Sequence, residues 1–87
     1  MATHDTIGAV LRRHRLQRGL SLAGMAELLA RVGVVRSRAM VHHYETQHTR
    51  QVPRDVLSGY VDVLELDTED ARAVYETAGY VVYLGAS

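Results

Sequence analysis

With 87 residues, 47% of them hydrophobic and 23% charged, the chain has the length of one domain and the make-up of an ordinary soluble globule. It contains no Cys, which excludes disulfides and thiolate metal sites. The formal net charge of zero conceals a split: residues 1–50 hold eight Arg against Asp5, Glu27 and Glu45, whereas residues 51–87 hold Arg54 and Arg72 against seven carboxylates.

All five His also fall in the first part, and a basic half beside an acidic half suits a polyanion-binding face backed by a solvated or partner-binding one. Every Lys/Arg position is Arg, and Lys, Phe and Asn are absent, which points to a GC-rich bacterial or phage genome. The first residues carry neither the basic nor the apolar region of a signal peptide, and no apolar run reaches membrane-spanning length. A reducing cytoplasm is the expected setting.

Ile7, Val10, Leu11 and His14 recur at helical spacing, so a first helix is expected from Asp5 or Thr6 to about Arg18, stopped by Gly19. Ser21 caps a second helix whose inner face is Leu22, Met25, Ala26, Leu29 and Val32, closed by Gly33. Val34, Val35 and Arg36 form a turn, and Ser37 caps a third helix running to about Thr46. Gln47 to Val52 is polar and reads as a loop. Pro53 opens a fourth helix with Val56, Leu57, Tyr60, Val61 and Leu64 on one face; Gly59 inside it weakens it by about 1 kcal/mol relative to Ala, so tertiary contacts must hold it. Asp67 with Asp70 resembles a capping box, and Ala71, Val74, Tyr75 and Ala78 carry a fifth helix to Gly79. The tail from Tyr80 through Val81, Val82 and Tyr83 to Leu84 is β-branched and aromatic. It is expected either to pair as a strand with a second copy or to pack on its own helices.

The ordered set Ile7-Gly8-x-x-Leu11-Arg12-x-x-Arg15, Gly19-Leu20-Ser21-Leu22-x-x-Met25-Ala26 and Ser37-x-x-x-Val41-x-x-Tyr44-Glu45 resembles the Cro/repressor-type helix-turn-helix, also called the xenobiotic-response-element family. Pro53, Leu57, the Leu64-Glu65-Leu66-Asp67 junction and Ala78-Gly79-Tyr80 continue the likeness, which spans residues 6–79. It implies an all-α, five-helix repressor-like domain with a short extended C-terminal tail (80–87), binding double-stranded DNA as a homodimer on an inverted repeat. In such a domain the third helix turns its N-terminal part to base edges in the major groove. The base-reading residues are then Arg38, Ala39, His42 and His43. Phosphate contacts fall to Ser21, Arg36, Ser37, Met40, His48 and Arg50. Arg15 and Glu45 are implied as a structural ion pair tying the first helix to the end of the third. Residues Tyr80 to Leu84 are the dimerisation candidates.

Two departures stand out. Ala26 and Glu45 are nineteen positions apart, several more than the family interval, so the second helix or the turn is extended. Leu22 stands where the family often has a Gln touching phosphate. A rival partner is a protein, engaged in antitoxin-like fashion by the acidic residues 54–76 and the apolar tail. No metal, cofactor or enzymatic activity is expected. Adjacent His42 and His43 point about 100° apart on a helix, and no set of nucleophile, base and acid is visible.

Overall fold

A computed structural model describes residues 6–46 and 52–80, which form five helices and no strand among them. Helix α1 covers Ile7–Gln17, α2 Leu22–Arg31, α3 Arg38–Thr46, α4 Arg54–Val63 and α5 Thr68–Thr77. None of them is long and apolar enough to cross a membrane.

Short polar side chains set the helix starts, as each satisfies a backbone N–H that has no partner inside the helix. Thr6 Oγ1 accepts from Ala9 N at 3.1 Å, Ser21 Oγ from Gly24 N at 3.0 Å, Ser37 Oγ from Met40 N at 3.1 Å, and Asp67 Oδ1 from Asp70 N at 2.8 Å. Pro53 sits at the cap of α4 without a side-chain bond, its φ of −56° already suited to a helix entry.

One device ends four of the helices. The N–H of a residue just beyond the helix reaches back to a carbonyl five positions earlier: Leu20 to Arg15, Val34 to Leu29, Leu66 to Val61 and Tyr80 to Tyr75. This geometry needs a left-handed residue immediately before the donor. Gly19, Gly33 and Gly79 fill that position at the ends of α1, α2 and α5. At the end of α4 it is Glu65, with φ of 51°, whose carbonyl accepts a bond from Arg18 Nη2 at 3.4 Å.

The same device changes which valine joins the core. Val32, expected on the inner face of α2, is the residue after its last turn and is 47% exposed. Val34, expected in the turn, is swung inward by the chain reversal at Gly33 and is buried. The interval of nineteen residues is thus met by a ten-residue α2 and a six-residue connection, Val32 to Ser37.

Leu11, Met25, Leu29, Val41, Val56, Leu57, Tyr60, Leu64 and Val74 are the fully buried side chains, drawn from all five helices. Helix α3 lies on both α1 and α2, α4 rests on α2, and α5 closes against α1 and α4. Gly59 shows why α4 tolerates a weak helix former. A Cβ there would lie 2.7 Å from Leu29 Cδ2 and 3.2 Å from Val34 Cγ2, so glycine lets α4 sit this close to the end of α2 without displacing either side chain. Between α4 and α5, Ser58 Oγ and Tyr75 OH share a 2.7 Å hydrogen bond.

Candidate nucleic-acid interface

Helix α3 has two unlike faces. Val41, Tyr44 and Glu45, at i, i+3 and i+4, are buried. Arg38, Ala39, Met40, His42 and His43 are exposed, so all four base-reading candidates and Met40 share the outer surface of one helix. Arg38 makes no hydrogen bond or ion pair with any described residue, and no carboxylate stands among the exposed residues of α3. That surface offers a guanidinium fork, two imidazoles and apolar groups, a set suited to purine acceptor edges and thymine methyls.

Glu45 holds the inner face through a buried polar cluster. Its Oε1 accepts from Arg15 Nε at 3.1 Å and from Nη2 at 2.9 Å, and its Oε2 accepts from Arg15 Nε at 2.9 Å and from Tyr60 OH at 2.5 Å. Arg15 Nη1 donates to Leu20 O at 2.7 Å, tying the same guanidinium to the α1–α2 link. The Arg15–Glu45 pair is almost sealed from water, its side chains 7% and 1% exposed. Hydrogen bonding to Glu45 raises Arg15 above its already high ordinary value despite the burial. Among the described residues no fully buried side-chain nitrogen or oxygen lacks a partner.

Tyr60 was legible in the sequence only as a core aromatic, because helical spacing says which way a side chain faces and not what its hydroxyl meets. Burial, followed by the bond to Glu45, pushes this phenol well above its ordinary value of 10.0. Its value is higher in the folded chain, so the stability it contributes is whole below about pH 10. That stability drains as pH rises further, since only the unfolded chain then releases the proton. Urea unfolding between pH 8 and 11 should therefore show a fall in stability above pH 10 that is shallower in Tyr60→Phe; equal slopes would contradict it.

Ser21 and Ser37 are exposed at the starts of α2 and α3, each with its hydroxyl committed to a cap. Leu22 is half-buried and packs on the core. Arg36, a phosphate candidate, faces the scaffold. Its Nε donates to Tyr44 OH at 3.3 Å, Nη2 to Asp55 at 2.9 Å and Nη1 to Val35 O at 3.1 Å. The hydrogen bond to Tyr44, with the neighbouring Asp55 carboxylate, raises Arg36 above its ordinary value. No local pattern signals this clip, because Asp55 lies nineteen residues away in α4. Among the dimerisation candidates, Tyr80 is 37% exposed, edge-on to Tyr75 and beneath Arg54 at 5.6 Å. His48, Arg50, Val81, Val82, Tyr83 and Leu84 lie outside the described residues.

Comparison with known proteins finds no matching family model, no matching curated protein and no matching solved structure.

Proposed function

We propose that the protein is a sequence-specific DNA-binding transcriptional regulator, a cytoplasmic repressor that reads the major groove of an inverted-repeat operator as a homodimer. One observation carries the reading: Arg38, Ala39, Met40, His42 and His43 are all exposed on a helix whose opposite face is locked by Val41, Tyr44 and Glu45. A groove reader needs such a helix, free on one side and fixed on the other. The resemblance of residues 6–79 to Cro/repressor-type domains points the same way, as does the Arg-rich first half. In the homodimer the two reading helices enter successive major grooves about 34 Å apart, so the half-sites are spaced by one helical turn.

Selection of duplexes from a random library tests this directly. The expected product is a two-fold symmetric site bound in preference to other sequences at physiological salt; no preference would refute the proposal. On the selected duplex, Arg38→Ala should weaken binding by about 1–3 kcal/mol per half-site, roughly 5- to 150-fold for each, and relax the base preference at one position of each half-site. Its folding stability should stay within about 0.5 kcal/mol of the parent, since Arg38 has no partner among the described residues.

A further inference from the structure

The cluster around Glu45 has a member that the paired Arg15 and Glu45 do not imply. Arg15 approaches the carboxylate from α1 and grips both of its oxygens. A fork of this kind fixes the carboxylate in its own plane, yet it fastens α3 to one neighbour only. Tyr60 OH reaches Oε2 from α4, on the other side. The Tyr60 ring is wholly buried, and the next residue along α4 toward its N-terminus is Gly59, where the helix is pressed against Leu29 and Val34. The phenol oxygen is therefore fixed relative to α2 as well as α4.

We infer that Tyr60 is a positioning residue: by bonding Glu45 from α4 it sets the orientation of α3, and so of the row Arg38, Ala39, His42 and His43, against the rest of the domain. The inference rests on the proposed DNA-reading role. In that role a small rotation of α3 moves several base-reading side chains together, while backbone-tracking contacts to phosphate tolerate it. Loss of the hydroxyl should then degrade discrimination more than it degrades binding in general.

Tyr60→Phe removes one oxygen and keeps the ring that fills the core, and the full chain serves for both measurements. Amide hydrogen exchange without DNA should quicken about tenfold at Tyr44, Glu45 and Thr46 and stay unchanged in α5. The ratio of affinities for the selected duplex and a scrambled duplex of equal length, at the same salt, should fall about tenfold while affinity for the scrambled duplex holds. An unchanged ratio overturns the positioning role, whatever the loss of stability. Exchange that quickens equally in every helix overturns it as well, since the hydroxyl would then act on the whole domain. If the parent chain itself does not discriminate between duplexes, the DNA-reading role fails. The role inferred for Tyr60 in recognition fails with it, and exchange alone then reports whether the hydroxyl restrains α3.

Discussion

Glu45→Ala is expected to cost about 3–5 kcal/mol, the usual penalty for removing one partner of a buried ion pair. The substitution leaves the Arg15 guanidinium buried, with Leu20 O as its remaining acceptor in the cluster, and strips Tyr60 OH of its acceptor. Domains are stable by only about 5–15 kcal/mol, and one of 87 residues belongs toward the lower end, so a large part of the protein should be unfolded at 37 °C. Urea titration followed by circular dichroism would measure it. Arg15→Met combined with Glu45→Leu should recover part of the loss, because two apolar side chains carry no stranded charge while Tyr60 OH and Leu20 O still lack their former partners. A loss below about 1 kcal/mol for Glu45→Ala would mean that water reaches the pair and screens it.

Gly8→Ala is expected to destabilise the domain by about 1–3 kcal/mol or more, opposite in sign to the gain of up to about 1 kcal/mol that alanine brings inside an unencumbered helix. A Cβ on residue 8 would lie 2.5 Å from Tyr44 O, 2.6 Å from Glu45 O and 2.8 Å from Glu45 C. All three are backbone atoms in the last turn of α3, so no side-chain rotation relieves the clash and α1 must move away from α3. That motion would also stretch the bonds between Arg15 and Glu45, so the effects of Gly8→Ala and Glu45→Ala should not add. Gly59→Ala gives a graded comparison. Its closest clash, 2.7 Å, is with the terminal methyl of Leu29, which can turn aside at some cost in core packing. Thermal midpoints should therefore fall in the order parent, Gly59→Ala, Gly8→Ala.

Much of the helical layout was legible in the sequence because its signals are local. The stripe Ile7, Val10, Leu11 and His14 is buried along its whole length, and Ser21, Ser37 and Asp67 cap the helices they precede. Gly19, Gly33 and Gly79 mark helix ends for a reason written into their backbone angles. The end of α4 carries no such mark, as Glu65 adopts the left-handed conformation without being glycine. The exchange of Val32 for Val34 in the core shows where periodicity misleads: beyond Arg31 the chain leaves the helix, and the 3.6-residue rule no longer says which side is in. The candidate site was legible only in part. The exposed row of α3 follows from spacing once Ser37 is placed as its cap. Tyr60 OH on Glu45 and Asp55 on Arg36 join residues fifteen and nineteen positions apart, and nothing local encodes either contact.

The two-faced character of α3 has a consequence for how such a protein can change. Among the described residues the buried restraints on the helix act through Val41, Tyr44 and Glu45, and of the base-reading candidates His43 alone touches them, its ring edge-on to Tyr44 at 6.2 Å. Substitutions at exposed positions without structural partners usually alter stability by no more than about 0.5 kcal/mol. Arg38, Ala39 and His42 can therefore be exchanged, singly or together, with the scaffold intact, and exchange of His43 gives up only its ring contact with Tyr44. What the outer surface contacts is free to diverge between descendants of this chain, or to be rewritten in the laboratory, while the fold that presents it is inherited unchanged.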